Sequence, residues 1–155
     1  MTRSWFVVAV LVTGVLATSV LAKGIQDPFG TRVVSFQTVP VEGLNSALAS
    51  ARGERLAWTE DPVLLAMHLL PGAIDTSGER SSFRAAFEMD ARTTPPTGVV
   101  TLVEDGLQDD SLGAIWHQVL LQRGADQRWV VTGHRQAQRC RRGGNTRDFR
   151  AELCP

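Results

Sequence analysis

Cysteine is scarce in this chain of 155 residues: Cys140 and Cys154 are the whole supply. Two cysteines allow one intramolecular bond and exclude a disulfide framework. They also make a poor zinc site. A structural zinc ion needs four ligands, yet the nearest histidine, His134, stands six residues before Cys140 and nothing flanks Cys154. No cysteine lies near residue 22, so a lipid anchor on a thiol there is excluded. A charge excess of either sign is missing too, with 16 Lys+Arg against 16 Asp+Glu. That balance gives no global attraction for nucleic acid. The sequence contains no G-x-S-x-G, no glycine-rich nucleotide loop, no internal repeat and no low-complexity tract.

What is present begins at the N-terminus. Arg3 precedes an apolar run from Trp5 to Val12, continued by Val15, Leu16 and Ala17. Val20-Leu21-Ala22 then offers a small-residue cleavage site before Lys23. Residues 1–22 therefore read as a signal peptide. The alternative is an uncleaved anchor, because 18 residues (5–22) reach the lower limit for spanning a bilayer. Either reading sends residues 23–155 out of the cytoplasm, into a space where a Cys140–Cys154 disulfide persists. Length and 43% apolar content then predict one folded domain over 23–155.

The hydrophobic period changes along that domain. Residues 32–39 suggest one short strand. Leu44, Ala47, Leu48 and Ala51 fall on one helical face, and Gly53 supplies a stop. Asp61-Pro62 is a helix start, with the aspartate as cap and the proline at the first helical position. An apolar segment over 63–70 follows, ended by Pro71-Gly72. Then the period becomes two. Phe83, Ala85, Phe87 and Met89 alternate with Arg84, Ala86, Glu88 and Asp90. Runs over 99–103, 112–123 and 129–138 add three strands. The expected fold is α+β: short N-terminal helices packed on an antiparallel meander of about four strands, with a C-terminal disulfide loop.

The last third of the chain carries a family likeness. Asp109-Asp110-Ser111, Trp129-Val130-Val131, Arg135 to Cys140, Arg142-Gly143, Phe149 and Leu153-Cys154 form its pattern. In this pattern the chain resembles a group of secreted or membrane-anchored bacterial proteins to which no activity is attached. Their shared feature is a late strand entering an Arg-Cys, then a Gly-rich loop, an aromatic residue and a terminal cysteine. The resemblance implies a bacterial, exported, disulfide-closed domain. Relatives often carry a basic-Gly-His loop, whereas Arg142-Gly143-Gly144-Asn145 has no histidine here.

Charge is unevenly placed. Residues 23–127 carry a net −6 and residues 128–155 a net +5. Arg139, Arg141, Arg142 and Arg147 cluster around the expected disulfide loop. Arginine binds carboxylate and phosphate through a planar fork, so these four are candidate binding residues. Trp116 is a fifth candidate, since its strand face also carries Gln118 and Gln122. Against these stands the simpler expectation that the arginines pair with the acidic body and the tryptophans fill the core. Glu104, Asp105, Asp109 and Asp110 make an acidic loop whose spacing does not match an EF-hand; a solvated turn is the expected role. His68, His117 and His134 lie on separate segments, with His117 on the more apolar face of its strand. No residue is singled out as catalytic, and neither a cofactor nor a metal is called for. The sequence favours a non-enzymatic extracytoplasmic binding domain, touching an anionic envelope polymer, a lipid surface or another envelope protein. A small hydrolase with a pocket near His117 is one alternative, and a structural accessory subunit is another.

Overall fold

A computed structural model describes residues 25–70, 82–143 and 145–155. The segment read as a signal peptide, 1–22, lies outside the described residues, as do the Pro71-Gly72 stop and Gly144. The chain opens with two short strands, β1 (Ile25–Gln26) and β2 (Arg32–Val33), which pair with each other. Then come β3 (Gln37–Val39), helix α1 (Glu42–Gly53), a 3-10 turn (Ala57–Thr59) and helix α2 (Pro62–Leu69). Four long strands follow: β4 (Ser82–Asp90), β5 (Thr97–Asp105), β6 (Leu112–Arg123) and β7 (Trp129–Cys140). All four pair antiparallel with their sequence neighbours, and β3 adds a fifth strand beside β7. The sheet order is β3-β7-β6-β5-β4.

The α+β class and the meander are thus present, with two corrections. The sheet has five strands because 32–39 is not one strand: it splits, and its second half joins the sheet edge. The helices are not at the N-terminus of the domain, since three short strands precede them.

The local causes follow from the residues. Asp61 caps α2, its Oδ1 accepting from the N–H groups of Val63 (2.8 Å) and Leu64 (2.9 Å), with Pro62 at the first position. α1 carries Glu42 in its first turn and Arg52 in its last, both favourable to its dipole. Its buried side chains are Leu48 and Ala51, with Leu44 half-buried and Ala47 exposed. The helices cover one sheet face, where Leu48, Leu65, Leu69 and Leu70 meet Val100, Leu102, Val119, Leu121, Trp129 and Val131. The other face is covered at one end by the chain termini. There Val33 and Phe149, with Phe29 and Phe36 half-buried beside them, close over Val103, Ala114, Trp116 and Ala137. Fully burying a large apolar side chain contributes about 1.5–3 kcal/mol, so this smaller cluster is a second core.

Two irregularities in the β6–β7 ladder set which side chains share a face. The register slips between Leu112 and Ala114, and again between Leu120 and Leu121. At the second slip Leu120 opposes Gly133 while Leu121 opposes Val131, leaving Thr132 as an extra residue. The bulge resets the alternation. Val131 and His134, three apart, therefore both point toward the helices, and Ala137 is carried to the side of Trp116.

Candidate functional site

The C-terminal loop is built on the end of β7. Cys140 and Cys154 are bonded, with their Cα atoms 5.4 Å apart. Phe149 plugs the loop onto the sheet. It is fully buried, its N–H donates to the Arg32 carbonyl (2.9 Å), and its carbonyl accepts from Val34 N–H (2.9 Å). Arg150 exchanges two backbone bonds with Gln138, and Cys140 N–H donates to the Asn145 carbonyl. Gly143 turns the loop at φ +85°, a conformation that glycine adopts without strain.

The four arginines of this region have separate fates. Arg139 is engaged: its Nη2 donates to Asp105 Oδ1 at 2.7 Å and its guanidinium lies over the Phe149 ring. Arg141 is exposed and donates to the carbonyl of Leu107. Arg142 and Arg147 are exposed, and neither forms an ion pair among the described residues. Close by, Arg32 and Arg150 share Asp148 at 4.0 Å each. Among these four the expectation that arginines pair with the acidic body therefore holds for Arg139, and Arg142 and Arg147 are exposed with no ion pair among the described residues.

Trp116 is unsuited to bind a ligand. It is completely buried, and its Nε1–H donates to Asp27 Oδ2 at 3.1 Å. Asp27, itself buried, also accepts from the N–H groups of Phe29 (3.1 Å) and Thr31 (2.6 Å). Asp27 stands 89 residues from Trp116 in the chain, so no local pattern joins them. Strand alternation suggested a polar face for Trp116, but the two chain termini fold over that face.

The acidic loop does not converge. Glu104 and Asp105 are adjacent in β5 and so point to opposite faces; Glu104 is buried and Asp105 holds Arg139. Asp109 makes the turn. Its Oδ1 accepts from Leu112 N–H (2.6 Å), Ser111 N–H (2.8 Å) and Ser111 Oγ (3.0 Å). These donors, the Leu112 amide foremost, hold its carboxyl below the ordinary value.

The histidine arrangement is the feature that sequence separation concealed. His117 opposes Gln136 and His134 opposes Val119, which makes the two imidazoles diagonal neighbours on the helix-side face. His117 Nδ1 lies 3.0 Å from His134 Nε2, with the rings nearly stacked. One nitrogen donates and the other accepts. His134 Nδ1 is buried with no partner among the described residues. An orphaned N–H is costlier than an orphaned lone pair, so the arrangement favoured is His134 Nε2–H donating to His117 Nδ1. Burial drives the pKa of His117 down to about 4, with the neighbouring His134 adding to the effect, and burial lowers His134 as well. Both rings are neutral at pH 7. The group that His117 meets at 3.0 Å is the His134 imidazole. His68 lies apart, stacked on Trp58 at 4.8 Å.

Among the described residues no group of three or more His, Cys, Asp or Glu is placed to hold a metal ion, and no helix is long and apolar enough to cross a membrane. The bonded cysteine pair fits an oxidising compartment. Helices and chain termini on opposite faces of an antiparallel sheet define an α+β protein with a stapled basic loop. Neither a family model, nor a curated protein, nor a solved structure matches the chain.

Proposed function

We propose that this chain is an exported, non-enzymatic binding domain that grips phosphate or carboxylate groups of the cell envelope through its C-terminal loop. The observation that carries the reading is the pair Arg142 and Arg147: exposed, without ion pairs among the described residues, and held on a loop closed by the Cys140–Cys154 bond. A loop already fixed loses less conformational freedom on binding, so each contact contributes more to affinity. Export by residues 1–22, cleavage before Lys23 and a bacterial origin are part of the proposal and rest on the sequence pattern.

The test is a vesicle-binding titration at low salt, comparing anionic with zwitterionic headgroups and with a soluble polyanion as competitor. The parent is expected to bind anionic vesicles or the polyanion. Arg142→Ala with Arg147→Ala is expected to bind roughly 30-fold more weakly, as about 1 kcal/mol per basic residue near an anionic surface implies. Equal binding by parent and double variant would remove the support for this function.

A further inference from the structure

The two edges of the five-stranded sheet are treated in opposite ways. On the β7 side, β3 is the last strand, and side chains and loop residues take up backbone groups of β7 that β3 does not reach. Asn45 of α1 grips Val131 twice, its Nδ2 donating to the carbonyl (2.8 Å) and its Oδ1 accepting from the N–H (3.1 Å). Arg52 donates to the Trp129 carbonyl at 2.6 Å. β3 then covers 134–136, and Arg150 and Asn145 close the end. β4, at the other edge, pairs with β5 through nine consecutive residues, and no described strand lies on its far side.

An edge this long offers a row of unpaired N–H and C=O groups unless something blunts it. β4 contains no proline and no lysine, and its ladder has no register shift. Its side chains are also self-complementary. Arg84, Ala86 and Glu88 share one face; Phe83, Ala85, Phe87 and Met89 share the other. Neither Arg84 nor Glu88 has an ion-pair partner among the described residues, although the Arg84 guanidinium lies over Phe29 at 5.0 Å. Met89 is 56% exposed, one of the few large apolar side chains left open to solvent.

We propose that a second copy of this chain docks antiparallel along β4, with a two-fold axis through Ala86. In that register Arg84 of each copy opposes Glu88 of the other, and Phe83 opposes Met89, each pair occurring twice. Ala85 opposes Phe87. The result is a continuous sheet with five strands from each copy. A register centred on Phe87 would set Arg84 against Asp90, but Asp90 is already taken by Arg92, whose Nε donates to it at 3.0 Å. That register would also leave Glu88 facing Ala86. Overall charge does not oppose the association, because the formal net charge is +0. The surface is distinct from the arginine loop and stands or falls independently of the function proposed above.

Sedimentation velocity of the purified, disulfide-intact protein tests the proposal. The parent is expected to dimerise in the micromolar-to-hundreds-of-micromolar range. Arg84→Glu and Glu88→Arg each turn two attractive cross-strand pairs into repulsive ones and are expected to weaken the dimer at least ten-fold. The double reversal is expected to restore it, which a change in the monomer alone would not do. Both residues are exposed, so circular dichroism should show all three variants folded. As a second measurement, Ala86→Cys opposes itself across the axis and is expected to give a disulfide-linked dimer on oxidation, whereas Ala85→Cys is not. A monomeric parent, a dimer indifferent to both single reversals, or failure of Ala86→Cys to cross-link would overturn the proposal.

Discussion

His117 and His134 share one N–H···N hydrogen bond on the helix-side face of the sheet, in surroundings whose burial disfavours a charge on either ring. Protonating either one would bury a charge. Because burial drives the His117 pKa to about 4 from an ordinary value of 6.5, the unfolded chain binds more protons than the folded one between those values. Stability is therefore complete above pH 6.5, falls as the pH drops through that window, and levels off below about 4. The shift corresponds to roughly 3 kcal/mol for His117, and His134 contributes in the same direction. Urea unfolding across that range should show this loss. His117→Gln, which keeps a polar group at the position, should show less than half of it; an unchanged pH slope would mean that other groups govern the acid response. Local alternation correctly put His117 on the apolar face. It could not bring His134 beside it, because that contact depends on the extra residue at Thr132.

At the scale of the element, Phe87 and Gly98 show why β4 sits where it does. They lie near each other on the helix-side face, and the Phe87 ring covers the glycine so closely that an added Cβ would stand 2.5 Å from its Cε2. The same ring meets Trp129 edge to face at 5.6 Å. Gly98→Ala should therefore cost about 1–3 kcal/mol of stability through overpacking, and less in a Phe87→Leu background. Chemical denaturation of the four-member cycle reads this coupling, and additive effects would place the ring elsewhere. The elements legible in the sequence are those that carry their own punctuation. Asp61-Pro62 marked the start of α2, Gly53 the end of α1, and the boundaries of β6 were readable from its apolar run. The period-two pattern of Phe83, Phe87 and Met89 gave the right face, although only the two phenylalanines pack on the core. β3 was missed as a separate strand because its three residues have little pattern, and their place is fixed by β7, about a hundred residues later. The edge-sealing roles of Asn45 and Arg52 were equally hidden: on a helical wheel they read as solvent-facing polar residues.

For the whole molecule, the disulfide and the two covering layers work together. Phe149 and Val33 bring the two ends of the described chain side by side over Trp116, and the Cys140–Cys154 bond keeps the later of those ends in reach. A loop of this length is worth roughly 3 kcal/mol in the chain-entropy model. Cys140→Ser with Cys154→Ser should lower thermal stability by up to that amount. It should also speed amide exchange at Phe149, whereas the helix-side core around Leu102 keeps its protection. Uniform loss of protection would mean that the two faces unfold as one. Alternation alone described a sheet with one dry face; the second dry face comes from segments more than a hundred residues apart, which no local window can connect. The closed border of β7 also sets a ceiling on self-association. Strand addition at one border by a two-fold operation uses up that border on both copies. What remains at either end is the β3–β7 border, where Asn45, Arg52, β3 and Arg150 already take up backbone groups of β7 and only the three-residue strand β3 lies outermost. Under the docking proposed above, Asn45 and Arg52 act as polymer terminators: by occupying the backbone of Val131 and Trp129 they favour a pair over a growing fibre.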